Sequence, residues 1–491
     1  MLENQWLDGK VDQCSYKNRL TTTPIQVVFV TLGLVSTGIV GSATFGANGL
    51  EWLFLLPLSF SIACALSRHV IGYARDSFGL VILYGLLILR YVVSPSLIAV
   101  SGSLVSSVST SASGLRFAIF IMITELVIVV SAVRVVWKSD SPKDLRIAKS
   151  KRFKMTWTGF MVVVFLVALI MYRGTFPNIV EHLSFGTRFA YSYSDLQTYD
   201  MSAFMTIKAF LFLVVVSWTS SRYLKTTDRF KRNWLLLIAM LAALGNALVY
   251  DSDHRATMVM CSISSISVLL HCYRKEIRRL LPVIAVLGFG FVWSLFSWGT
   301  LGIKDGQSLF DRSSWVIEVS RVAELYSNGV SMEAHAHDMY DTIRSRMGVE
   351  TYVSEIIKSN NIFTLPGLWS VGRLVEPVPS VQSLFNSTLR PGDAFILPNA
   401  GLAMYLGSEY LGFLLNIIFH WLIVIGIHYF YRKRLCTTDI SKIYLYSYCE
   451  QIFAFALMNN IMLALSLLTA VPFLLYVLLK LNSVGDRVRL R

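Results

Sequence analysis

The sequence predicts an all-α polytopic membrane protein of about 12 transmembrane helices with one large extracytoplasmic loop. Three observations carry that expectation. Hydrophobic residues make up 54% of the 491 and charged residues 15%, with a mean hydropathy of +0.57, a composition too apolar for a soluble surface. Apolar runs of about 20 residues, the length that crosses a bilayer as a helix, recur along the chain. Between Trp298 and Leu402 that pattern gives way to roughly a hundred mostly polar residues, far longer than an ordinary connection.

The runs lie at 24–47, 50–67, 79–102, 115–136, 156–172, 203–221, 234–250, 257–273, 280–299, 408–431, 442–459 and 462–480. They divide the chain into helices one to nine within 1–299, the loop at 300–401 and helices ten to twelve within 402–491. With a cytoplasmic N-terminus, the inside segments are 1–23, 68–78, 137–155, 222–233, 274–279, 432–441 and the tail after Leu479. These hold most of the 44 Lys and Arg residues, as positive-inside topology requires, and both termini are then cytoplasmic. Basic clusters such as Lys149, Lys151, Arg152 and Lys154 are read as topology anchors, so the net charge of +14 does not point to nucleic acid. The first 23 residues lack the apolar core and cleavage site of a secretory signal, which makes helix one a retained signal anchor. Cys14, Cys64, Cys261, Cys272, Cys436 and Cys449 all fall in helices or on the cytoplasmic side. The loop has no cysteine, hence no disulfide framework and no zinc spacing, and no metal or cofactor is expected.

Within the loop, 311–328 and 338–358 carry amphipathic helical spacing, and Pro366, Gly367, Gly372, Pro377, Pro379, Pro391, Gly392 and Pro398 break the rest into turns. The expected picture is two or three helices lying over the outer mouth of the bundle. Helices seven and eight are joined outside by Asp251 to Ala256, a hairpin that holds Arg255 at the membrane surface. Another outer segment, Arg173 to Ser202, contains Arg173 and Arg188.

Charges inside the runs each need a reason, because burying one in hydrocarbon is costly. Arg90, deep in helix three and five residues before Pro95, has two readings: a functional cation, or an ion pair with Glu125 of helix four. Lys208 is expected to snorkel to the outer interface. In the loop, His335, His337, Asp338 and Asp341 lie close together. Imidazole and carboxylate supply general bases and metal ligands alike, and the same cluster also fits a solvated helix start with Asp338 as its cap. Arg312, Arg321, Arg344, Arg346, Arg373 and Arg390, with Arg173, Arg188 and Arg255, offer guanidinium donors for an anionic ligand at the outer face.

Three local pieces resemble the O-antigen polymerase and ligase superfamily, the Wzy-like integral membrane glycosyltransferases. Asp253-His254-Arg255-Ala256-Thr257 before an apolar helix is similar to a Ser-Arg-Gly-Ala pattern of these proteins, with Ala256 where glycine is usual. Leu89-Arg90-Tyr91 with Pro95 is similar to an Arg-Tyr pair of oligosaccharide repeat-unit polymerases. Gly407-Ser408-Glu409-Tyr410-Leu411-Gly412-Phe413 resembles the segment by which their outer loop returns to the membrane. The resemblance implies a GT-C-like polymerase in the bacterial cytoplasmic (inner) membrane, joining undecaprenyl-diphosphate-linked oligosaccharide repeat units into O-antigen, capsule or exopolysaccharide on its outer face. Alternatives are an O-antigen ligase and a lipid-linked glycan flippase or transporter. The implied partners are the lipid-linked glycan, the lipid bilayer, a chain-length regulator and a flippase. Arg255 would bind the diphosphate first, with Arg90, Arg173 and Arg188 next and Arg373 and Arg390 in support, while His337, Asp338, Glu409 and His254 are the candidate general bases in falling order.

Overall fold

The computed structural model describes residues 22–47, 49–67, 77–102, 104, 108, 110–138, 156–172, 198–249, 255–273, 276, 278–279, 281–282, 285–286, 315–359, 377–389 and 395–488. Among these the chain is mainly helical and forms no strand. The first half contributes α1 (Thr22–Ala43), α2 (Leu55–Leu66) and α3 (Phe78–Ile88). A π-helical turn (Leu89–Val93) runs on from α3 into α4 (Ser94–Ser101), followed by α5 (Ala112–Lys138), α6 (Trp157–Tyr172), α7 (Thr198–Lys225), α8 (Arg229–Leu248) and α9 (Arg255–Cys272). The polar stretch supplies short helices α10 (Trp315–Ser327), α11 (Val330–Asp338), α12 (Tyr340–Arg344), α13 (Val349–Lys358), α14 (Val381–Asn386) and α15 (Asn399–Leu406). Last come α16 (Glu409–Leu435), α17 (Ile440–Phe455), α18 (Ile461–Thr469) and α19 (Val471–Val488).

Among the described residues, six helical stretches are long and apolar enough to cross a membrane: Pro24–Ala43, Phe78–Ser101, Ala112–Lys138, Ser202–Lys225, Tyr410–Leu435 and Ile461–Ser483. They match six of the twelve expected runs. Three of the remaining runs fall short for local reasons. Helix α2 is 12 residues long, α8 spends its first turn on Arg229, Lys231, Arg232 and Asn233, and α17 stops at Phe455. Run 280–299 lies almost wholly outside the described residues.

Two interruptions shape the centre of the bundle. Pro95 has no N–H and crowds the preceding turn, and the chain widens into the π turn just before it. The Val92 carbonyl at this turn accepts hydrogen bonds from Ser36 Oγ at 3.2 Å and Ser96 Oγ at 2.7 Å. The second interruption is Ala456–Asn460, between α17 and α18, where the helix stops at Phe455, ahead of the expected end of its run at 459. Its exposed carbonyls are taken by side chains: Asn399 Nδ2 donates to Ala456 O at 2.7 Å, Arg90 Nη1 to Leu457 O at 3.3 Å, and Asn328 Nδ2 to Met458 O. Asn399 Oδ1 in turn accepts from Ile461 N at 3.0 Å, and Asn460 caps α18 through Leu463 N at 2.9 Å. Irregular backbone inside an apolar bundle is tolerable only when protein groups satisfy it in this way.

Three helices of the polar stretch are wedged into the bundle, where all were expected to lie over it. Helix α10 packs along α4, α11 along α5, and α15 along α16. Every side chain from Val330 to Ala336 is buried. Small residues allow the approach, since a Cβ on Gly401 would stand 2.8 Å from Ala336 Cβ. Lys208 Nζ donates to Val249 O at the end of α8, capping a helix carbonyl.

Candidate functional site

Helix α11 is the element on which the candidate residues converge. Its start is fixed from α10, where Glu324 Oε2 accepts from Ser331 N at 2.9 Å while Oε1 accepts from Ser94 Oγ. A carboxylate at a helix N-terminus meets unpaired amides and the positive end of the helix dipole. One turn in, Glu333 faces Arg90. Its Oε1 accepts from Arg90 Nη2 at 2.7 Å, and the same nitrogen donates to Glu125 Oε2 of α5 at 2.8 Å. Arg90, Glu125 and Glu333 are each at most 1% exposed. The pairing with Glu125 is therefore present, and it is joined by a second carboxylate that sequence reasoning did not foresee.

A fourth group completes the cluster. His420 of α16 is fully buried and sets Nε2 3.6 Å from Glu125 Oε1, while its Nδ1 lies 2.8 Å from Asn416 O. A carbonyl can only accept, so Nδ1 carries hydrogen and Nε2 is the nitrogen that titrates. Arg90 Nε, Glu125 Oε1, His420 Nε2 and both amide atoms of Asn416 have no hydrogen-bond partner among the described residues. Burial, and next the Glu125 carboxylate, push the Glu333 carboxyl up to about 8 against the opposing pull of Arg90.

The other end of α11 is wetter. His337 Nδ1 lies 3.3 Å from Asp338 Oδ1, and its ring stacks on Phe117 at 4.3 Å between centroids. The His337 side chain keeps 34% of its surface exposed and Asp338 14%. Asp338 is in turn fastened to the start of α5: Ser111 Oγ donates to Oδ1 at 2.7 Å and Ser111 N to Oδ2 at 2.5 Å. Ser111 Oγ also accepts from Gly114 N at 2.9 Å, capping α5. Asp338 thus sits at a helix end and holds the residue that caps a different helix, where the cap reading had it opening its own. Gly114 is required here because a Cβ would stand 2.4 Å from Asp338 Oδ1. Tyr405 of α15 donates to Ala336 O at 2.5 Å and holds the same end against α15. His335, between the two ends, turns away to Thr388 Oγ1 at 3.0 Å and the Phe385 ring.

Among the sequence-derived candidates, the fold brings Arg90, His337 and Asp338 to one helix. Arg255 and Glu409 open α9 and α16, and their side chains fall outside the described residues. His254, Arg173, Arg188, Arg373 and Arg390 lie outside the described residues altogether. Glu333, His420 and Ser111 were missed. A signal existed for two of them: His420 interrupts an apolar run, and Glu333 stands four residues before His337, on the same helical face.

Chemically, the wet end offers an imidazole with a carboxylate behind it, which can take a proton from a hydroxyl. The dry end offers a charge cluster closed to bulk ligands. Among the described residues there is no group of His, Cys, Asp and Glu suited to a metal ion. Neither a protein-family model, nor a characterised protein, nor a solved structure matches this chain.

Proposed function

We propose that the protein is a membrane glycosyltransferase that polymerises glycan repeat units carried on a lipid diphosphate, at the outer face of a bacterial cytoplasmic membrane. The observation that carries this reading is the partly exposed His337–Asp338 pair, anchored by Ser111 to a helix long and apolar enough to cross a membrane. With Nδ1–H directed at Asp338, His337 presents Nε2 as the acceptor. Nε2 takes the proton of the incoming sugar hydroxyl as that oxygen attacks the anomeric carbon, and the lipid diphosphate leaves with the bonding electrons. Asp338 orients the ring and stabilises the imidazolium. Arg255, at the start of α9, is the first choice to bind the departing diphosphate, whose charge grows as the glycosidic bond breaks. The sugar arrives already activated on its lipid, so the reaction requires no nucleotide-sugar site.

The test is glycan chain length in cells carrying single variants. His337→Gln and Arg255→Ala should each collapse long polymer to single repeat units while membrane levels of the protein are retained. Normal long-chain glycan in both variants would overturn the assignment. A second reading, transport of lipid-linked glycan, draws on the charges buried within the bundle at Arg90, Glu125 and Glu333. It predicts lipid-linked units trapped on the cytoplasmic face of cells lacking the protein, whereas loss of a polymerase leaves them on the outer face.

A further inference from the structure

The buried cluster around Arg90 holds one guanidinium between two carboxylates, so without a further positive charge it is anionic in a low-dielectric interior. His420 Nε2 and Glu125 Oε1 sharpen the imbalance. They face each other at 3.6 Å, both are buried, and neither has a donor among the described residues. Two lone pairs turned toward one another repel unless a proton lies on one of them.

Among the described residues, the surrounding elements supply no other compensating charge. Tyr91, on the π turn, spends its hydroxyl on Met122 O at 2.6 Å, and Tyr405, from α15, spends its own on Ala336 O. Glu324, from α10, is held by Ser94 and Ser331 N, and Asn416 on α16 is neutral. We propose that Arg90, Glu125, Glu333 and His420 form a buried binding site for one exchangeable proton, shared over the two carboxylates and the imidazole. This goes beyond the glycosyl-transfer reading and does not depend on it. The raised Glu333 carboxyl agrees with the geometry, and the titration belongs to the cluster as a whole.

Charge counting makes the variants distinguishable. Glu125→Gln leaves one cation and one anion and removes the carboxylate that faces His420, so nothing calls for the proton; Glu333→Gln is neutral too but keeps Glu125 facing His420, so the proton is held less tightly. His420→Gln leaves two carboxylates around Arg90, so the proton is still held, on a carboxyl group. The experiment is infrared difference spectroscopy of the full-length protein in lipid nanodiscs, titrated from about pH 5 to pH 9 and following the protonated-carboxyl band. Wild type should show a buried carboxyl or imidazole titrating near neutrality. Glu125→Gln should lose it, Glu333→Gln should move it to lower pH, His420→Gln should keep a carboxyl band with a shifted midpoint, and the exposed control Asp341→Asn should match wild type. A wild-type protein without a buried group titrating in this range overturns the proposal, as does an unchanged titration in a folded Glu333→Gln or Glu125→Gln variant. A band that follows sodium concentration in place of pH would assign the site to a metal cation and overturn it equally.

Discussion

Glu333 and His337 stand one helical turn apart on α11, yet one is sealed and the other half in the open. Glu333 is 1% exposed and bound to Arg90; the His337 side chain is 34% exposed and stacked on Phe117. The difference follows from what each end packs against. The start of α11 meets the π turn, where Arg90 provides a partner that makes a buried carboxylate tolerable. Its end meets the N-terminus of α5, where Ser111 holds Asp338 by backbone and hydroxyl. A polar residue at the sealed end serves the fold first, whereas one at the open end is available to a substrate.

The largest effect expected from that contrast is at Arg90. Arg90→Met leaves Glu125 and Glu333 buried without their cation, a loss of about 3–5 kcal/mol, read as a collapse in folded yield from detergent and in thermal midpoint. Adding Glu333→Gln to Arg90→Met should recover part of that loss. Arg90→Lys should rescue poorly, since a lysine ammonium cannot replace a planar fork serving Glu125, Glu333 and Leu457 O together. If Arg90→Met is as stable as wild type, the sealed end is not held by charge.

Next in size is pH dependence. The Glu333 carboxyl is raised from 4.5 to about 8, so between those values the folded protein holds a proton that the unfolded chain lacks. The sign is therefore that stability is highest at the acid end of this window and falls as pH rises through it. Thermal midpoints measured from pH 5 to about pH 8 should decline in wild type and flatten in Glu333→Gln. A midpoint that rises with pH over this window would contradict the assignment.

Smaller changes in stability belong to the open end. Ser111→Ala removes the cap of α5 and the anchor of Asp338 at once, for about 1 kcal/mol. Gly114→Ala pushes a Cβ against Asp338 Oδ1, so Asp338 must move and His337 loses its orientation. Both variants should lower glycan chain length more than they lower the thermal midpoint. His337→Gln should shift stability by no more than about 0.5 kcal/mol, as expected of a half-exposed side chain, while abolishing polymer. A large stability loss in His337→Gln would make the open end structural as well.

Much of the fold was legible because hydropathy is a one-dimensional property. The runs at 24–47, 79–102, 115–136, 203–221, 408–431 and 462–480 each contain a helix able to span a bilayer. The break after run 442–459 was legible, but not that the helix stops at Phe455, since Ala456, Leu457 and Met458 are good helix formers and apolar. What stops the helix is capture of its carbonyls by Asn399, Arg90 and Asn328, which are remote in sequence. The candidate site divides in the same way. His337 and Asp338 were visible as adjacent chemistry, but the hydroxyl that anchors them, Ser111, lies 227 positions away and gives no local sign.

By itself, the sequence determined that the chain is helical and membrane-bound, because composition and run length are set by the solvent the chain must satisfy. It also determined that Glu333 and His337 share a face, because helical spacing does so. Only the tertiary structure decided which of the two is sealed. That choice depends on Arg90 meeting Glu333 across 243 residues and on Phe117 meeting His337 at the other end, and contacts between remote segments are fixed by packing.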